Sequence, residues 1–180
     1  MVYIILGEGF EEIEAVTPCD ILRRGGVSVS FAAVGAQKSV NGSHGIAILA
    51  DVLVSDILPS SEDTFVIPGG MGGVNSITSD VITMKLIEAA ANQRASLAAI
   101  CAGPSVLAQL GLINGKHITC YPGTEGLMDG AICEASMSAL SDGTLITGRA
   151  PGSAIDFGLK LLSHLKGEAA AKRIRTELVY

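Results

Sequence analysis

The residue best placed to do chemistry is a cysteine at the break between an apolar run and a helix-opening turn. Ser96–Pro104 reads S-L-A-A-I-C-A-G-P. Leu97 to Ile100 has the length and composition of a buried central strand. It ends at Cys101, and Ala102-Gly103-Pro104 opens a helix, because proline fits a first helical turn and presets φ there. A strand that turns sharply into a helix leaves its pivot residue exposed at the carboxyl edge of the sheet, close to unpaired N–H groups. That is the geometry of a nucleophile elbow, built here on sulfur. A helix N-terminus lowers a thiol pKa, so the pattern predicts a Cys101 that is substantially thiolate near neutral pH. The competing reading is a free cysteine packed as a small hydrophobe.

Three acids, Glu11, Glu12 and Glu14, open the first helix. Helix-opening acids are ordinarily solvated and complement the dipole. Glu14, however, lies among Ile13, Ala15 and Val16. If it points over the sheet edge toward Cys101, burial would raise its pKa into the range of a general acid or base. Pro68-Gly69-Gly70 reads either as a tight turn or as a loop whose N–H groups cradle an oxyanion. Neither this loop nor Gly7-Glu8-Gly9 fits a nucleotide-binding pattern. Tyr121 could hydrogen-bond a substrate, or be an ordinary strand-end aromatic. Cys120 could be a second thiol near Cys101; a buried inert cysteine is the plainer reading for it, as for Cys19 and Cys133. His44, His117 and His164 lie apart, with no metal-ligand spacing, so no metal is expected.

The elements that must position these groups follow from pattern. Val2–Leu6 reads as a first strand and Glu11 to Arg24 as a helix that Pro18 should kink or split, stopped by Gly25-Gly26. Val27–Val34 is a second strand, with short strands around Ile46–Leu49 after an Asn41-Gly42 turn. Asp63–Ile67 is a buried strand running into the loop Pro68–Gly73, and Asp80–Gln93 is a helix. After Cys101 comes a helix to about Leu110. His117–Tyr121 is a strand, Ala131–Thr147 a hairpin turning at Ser141-Asp142-Gly143, and the last helices cover Gly152–Lys166 and Glu168–Arg175. Strands alternating with helices demand a doubly wound, mostly parallel sheet in one domain, with its site at the carboxyl edge of the strands.

Composition agrees. Hydrophobic residues are 48% of the chain and charged residues 17%, which fits a sheet covered on both faces. The net charge of −6 comes with no basic run, arguing against nucleic acid. The first apolar run lacks a signal-peptide pattern and no segment reaches membrane-spanning length, so a cytoplasmic protein with reduced cysteines and no membrane contact is expected.

Glu11-Glu12-Ile13-Glu14, Ile67-Pro68-Gly69-Gly70, Ala99-Ile100-Cys101-Ala102-Gly103-Pro104 and Thr147-Gly148-Arg149-Ala150-Pro151-Gly152 occur in that order over almost the whole chain. The set resembles the ThiJ/PfpI superfamily, on the branch of the parkinsonism-associated protein deglycase and its bacterial relatives. The resemblance implies a flavodoxin-like three-layer α/β sandwich, a homodimer, and a site of reactive cysteine plus protonated glutamate. It makes Cys101 the nucleophile and redox-sensitive thiol and Glu14 its hydrogen-bond partner. Gly70 and Ala102 would offer backbone N–H groups to the sulfur or its oxidised forms. Arg24, Arg149 and Pro151 match segments that in relatives approach the site or the dimer interface.

Two departures bear on the reaction. Protease members of the superfamily place histidine directly after the cysteine, where this chain has Ala102. Deglycase relatives often carry a histidine before a proline near the site, where this chain has Tyr121 before Pro122. A peptidase mechanism therefore loses its base. The leading expectation is a cofactor-independent glyoxalase or deglycase-type enzyme acting on a small aldehyde or glycated substrate, using Cys101 and a Glu14 proton shuttle. The alternative is an oxidative-stress sensor or chaperone working through oxidation of Cys101.

Overall fold

The apolar runs form strands, and those at the centre of the sheet lead at their carboxyl ends into turns that open helices. The computed structural model describes residues 1–180. The first half holds β1 (Val2–Leu6), α1 (Glu12–Arg24), β2 (Val29–Ala33), β3 (Ser39–Asn41), β4 (Ala47–Leu49), β5 (Val52–Leu53), β6 (Thr64–Ile67), α2 (Met71–Ser79) and α3 (Val81–Asn92). The second holds β7 (Ser96–Ile100), α4 (Pro104–Gln109), β8 (His117–Ile118), β9 (Ile132–Cys133), β10 (Ala139–Asp142), β11 (Leu145–Gly148), α5 (Ala154–Lys166) and α6 (Glu168–Glu177).

Seven strands make the central sheet in the order β10-β11-β7-β6-β1-β2-β5, all paired in parallel except the β10–β11 hairpin. β1, β6 and β7 occupy its centre. Ile4, Ile5, Leu6, Phe65, Val66, Ile67, Ala98, Ala99 and Ile100 are fully buried, as strands covered on both faces must be. Helices α1, α5 and α6 pack together on one side, and α2 lies with α3 and α4 on the other. This is the three-layer α/β arrangement expected from the alternation of elements. No helix is long and apolar enough to cross a membrane.

Four local expectations are corrected. Pro18 does not split α1, which runs unbroken from Glu12 to Arg24. Proline withdraws the N–H that would bond to the Glu14 carbonyl, but Pro18 is buried against α5, where Gly158 lets the two helices come close. A Cβ on Gly158 would lie 2.8 Å from Ile21 and 3.1 Å from Pro18 Cα. Second, the glycine-rich loop is shorter than Pro68–Gly73, because α2 already begins at Met71. Third, β8 stops at Ile118: the N–H of Thr119 turns to Thr147 Oγ1 at 2.9 Å instead of continuing a ladder. Finally, the hairpin is confined to β10 and β11, while Ile132–Cys133 pairs in parallel with β8.

Candidate active site

Segments at the carboxyl edge of the sheet are tied to one another by backbone hydrogen bonds. The N–H of Glu11, entering α1, donates to Gly69 O at 3.0 Å. The N–H of Cys101 donates to Gly148 O, and the Cys101 carbonyl accepts from Tyr121 N–H, each at 3.0 Å. The segments after β1, β6, β7 and β8 therefore meet where sequence reasoning placed the site.

Cys101 stands at φ +64°, in the left-handed region. That conformation costs a residue with a side chain about 1–2 kcal/mol. It follows from the local sequence: β7 must end at Ile100 and α4 begins only three residues after Cys101, at Pro104. The bonds to Gly148 and Tyr121 hold the strained pivot in place.

Glu14 lies fully buried in the first turn of α1. Its Oε2 accepts a 2.6 Å hydrogen bond from Gly69 N–H, and its Oε1 has no hydrogen-bond partner. The carboxyl lies beside the Cys101 thiol and interacts with it. Gly69 makes this possible by having no side chain. A Cβ there would sit 2.6 Å from Glu14 Oε2 and 2.8 Å from Cys101 Cβ. Gly69→Ala is therefore expected to push carboxyl and thiol apart and to cost about 1–3 kcal/mol of stability. Thermal unfolding checks the second effect and Cys101 alkylation kinetics the first.

Electrostatics reverse one expectation. Burial, followed by the charge and hydrogen bond of Glu14, pushes the Cys101 thiol up to about 12. The N–H groups of Ala102 and Gly70 reach the sulfur and act in the opposite direction, but they do not win. Cys101 is thus held toward its thiol form at neutral pH, because the sulfur is largely desolvated and faces the Glu14 carboxyl. Glu14 is raised to about 7, again chiefly by burial, which outweighs the bonds from Cys101 and Gly69; nearby Glu11 raises it further. The chemical unit is the pair: a carboxyl that ionises near neutral pH beside a sulfur that keeps its proton.

The other candidate residues fall at different distances from this pair. Gly70 and Ala102 lie at the sulfur through their N–H groups. Tyr121 is beside Cys101 by its backbone, with its side chain half exposed. Arg149 follows the residue that bonds Cys101 N–H, and its own N–H donates to Ser138 O; Pro151 opens the short turn before α5. Arg24 is not brought to the site. It ends α1, ten residues or about 15 Å along the axis from Glu14, and pairs with Asp20 at 2.7 Å.

One cluster beside the site was not legible in the sequence. Glu12, buried in α1, accepts from the N–H groups of His44 and Ile46 and contacts His44 Nδ1 at 3.0 Å, while Ser43 Oγ bonds to both Glu11 and Glu12. Burial pushes the Glu12 carboxyl up, but these bonds overcome it and hold Glu12 at about 2. Glu11, Glu12 and His44 bring their donor atoms within 4.8 Å of one another. The acceptors of Glu12 are already engaged, so the group pins the turn between β3 and β4 onto α1. About 30 residues separate the partners, and nothing local in either segment marks the pairing.

A surface cleft of about 600 Å³ lies elsewhere, between the turn preceding β10 and helices α5 and α6. None of Cys101, Glu14, Gly70, Ala102 or Tyr121 lines it. The pair offers only a small, nearly enclosed sulfur at the sheet edge, a setting for a small reactant.

The sequence pattern of the DJ-1/PfpI family matches residues 1–164. The chain is 33% identical to Protein dj-1beta of Drosophila melanogaster over 177 residues, covering 98% of this chain and 95% of that one. It is 30% identical to the glutathione-independent glyoxalase DJR-1.2 of Caenorhabditis elegans, covering 89% and 85%. An oxidised DJ-1 from Toxoplasma gondii superposes with a TM-score of 0.91 at 32% identity, covering 99% of this chain and 97% of that one. The pattern, the relatives and the shared architecture agree: this chain belongs to the DJ-1/PfpI family.

Proposed function

We propose that the protein converts small reactive carbonyls, with methylglyoxal as the type substrate, to hydroxy acids without a cofactor. The observation that carries this reading is the buried Glu14 carboxyl, one oxygen fixed by Gly69 and the other free of hydrogen-bond partners, in contact with the Cys101 thiol. A carboxylate near pH 7 takes the thiol proton as the sulfur adds to the aldehyde carbon. An S–C bond forms, and the former carbonyl oxygen takes a proton, giving a hemithioacetal. Glu14 then removes the proton from that carbon and returns it to the neighbouring carbon, while the hydroxyl proton passes to the former ketone oxygen, leaving a thioester. Water cleaves the thioester, restoring the thiol and releasing lactate. The sum is methylglyoxal plus water to lactate, with no oxidant or reductant consumed. The N–H groups of Gly70 and Ala102 suit developing negative charge at oxygen on the adduct. The glyoxalase named among the relatives supports the reaction class. Purified protein given methylglyoxal, with no thiol or metal added, is expected to form lactate. No lactate above the spontaneous rate would overturn the reading.

A second reading rests on the same two N–H groups. Oxidation of Cys101 to sulfinate would place new oxygens toward Gly70 and Ala102, with protonated Glu14 as a donor, which suits a stress sensor or chaperone. Mild peroxide treatment separates the readings. The sensor requires Cys101 to oxidise ahead of Cys19 and Cys133, with the oxidised form carrying the activity.

The assembly proposed is a homodimer through α1. Ile13 and Val16 stand on its outer face at 52% and 46% exposure, beside exposed Ile46 and Leu49 of the β3–β4 ribbon. Such an apolar face fits a second copy of the chain. Ile13→Lys is expected to halve the mass seen by light scattering, and an unchanged monomeric mass in wild type and variant would remove the proposal.

A further inference from the structure

Two cysteines outside the Glu14–Cys101 pair also meet. Ile118 of β8 pairs with Cys133 of β9, and Glu134 N–H continues the ribbon to Ile118 O at 2.7 Å. Cys120 lies two residues beyond Ile118, just past the end of β8 and next to Cys133. The two thiols are close enough to influence one another, and Cys133 raises the Cys120 thiol. Cys133 is half-buried and Cys120 buried, and no disulfide joins them. The Thr124 hydroxyl also contacts Cys120 and donates to Tyr121 O at 2.7 Å.

We propose that Cys120 and Cys133 form a reversible dithiol–disulfide switch, operated by hydrogen peroxide and set beside the candidate active site. Cys133 reaches solvent and reacts first. Its sulfur attacks the O–O bond and takes one oxygen, giving a sulfenic acid and one water. Cys120 sulfur then displaces that hydroxyl, its thiol proton leaving with the hydroxide as a second water. Two electrons pass from the two thiols to one peroxide, and a dithiol reductant returns them. Burial, set against the Thr124 bond, pushes the Cys120 thiol up to about 11, which suits a resolving thiol that waits protonated.

The switch has a direct route to Cys101. Tyr121, next to Cys120, donates its N–H to the Cys101 carbonyl. A disulfide removes the Cys120–Thr124 contact and ties the segment bearing Tyr121 to β9. This inference stands whether or not Cys101 turns over carbonyls.

The test treats the full chain with hydrogen peroxide, blocks free thiols with N-ethylmaleimide, and maps peptides without reduction. The expected result is a peptide pair joined through Cys120 and Cys133, lost on treatment with dithiothreitol and still formed in Cys101→Ser. In Cys133→Ser the linkage is lost and Cys120 remains blocked by maleimide. The proposal is overturned if both thiols stay free while Cys101 oxidises, or if Cys120 links to Cys101 instead.

Discussion

Cys101→Ser is expected to lower lactate formation from methylglyoxal by about 10³-fold or more, with little change in thermal unfolding. A hydroxyl fits the space of the thiol, and the bonds that hold position 101 at φ +64°, to Gly148 and Tyr121, come from the backbone. The loss therefore falls on chemistry. A carboxyl raised to about 7 can share a proton with sulfur, whereas an alcohol gives its proton up far less readily. Steady-state kinetics with lactate detected directly checks the value, and turnover within a few-fold of wild type would remove Cys101 as nucleophile.

Glu14→Gln carries the second large effect, and it splits function from stability. Turnover should fall by about 10²–10⁴-fold, because an amide cannot take the thiol proton or shuttle it between carbons. Stability at pH 8 should rise. The folded-state pKa of Glu14 lies above its unfolded value of 4.5, so its contribution is fully present below about 4.5 and lost as pH rises through about 7. Glutamine escapes that loss, and the ceiling on the gain is about 3 kcal/mol, or roughly 6–12 °C in unfolding midpoint. The gain should vanish near pH 4. Glutamine keeps an oxygen for Gly69 N–H and turns an N–H toward the sulfur where Glu14 Oε1 has no partner. Differential scanning calorimetry at the two pH values tests the sign. A variant less stable than wild type at both would mean that the buried carboxyl is not held against its ionisation.

The legible parts of the fold were those written in short windows. Ser96–Pro104 announces a buried strand, a pivot and a helix start through an apolar run followed by Ala-Gly-Pro, and each is found. The turns expected at Asn41-Gly42 and Ser141-Asp142-Gly143 are likewise local; the chain turns slightly later, at Ser43-His44 and Gly143-Thr144, and both turns close ribbons. Failures came where distant segments decide. Pro18 carries a strong local signal to bend, but burial against α5 keeps α1 continuous. Gly72 and Gly73 look like loop and lie in helix α2, packed close to Gly9 and Phe10.

The site divides in the same way. The meeting of Glu14 with Cys101 followed from motif order and resemblance, since the carboxyl and its Gly69 donor are 55 residues apart. The ionisation state did not follow. A helix N-terminus argues for a thiolate, but desolvation and a neighbouring carboxyl are stronger here, and neither can be weighed from local sequence. The Glu12–His44 pin and the Cys120–Cys133 contact were invisible for the same reason: each joins segments with no shared pattern.

The action of Glu14 as the base for Cys101 is tested most directly by the rate of Cys101 alkylation with iodoacetamide, read by mass spectrometry from about pH 5 to about pH 10. Wild type should rise through about pH 7 and then level off, because ionised Glu14 supplies the base, while Glu14→Gln should climb steadily across the range. A wild-type profile that climbs without inflection and overlays the variant would contradict it.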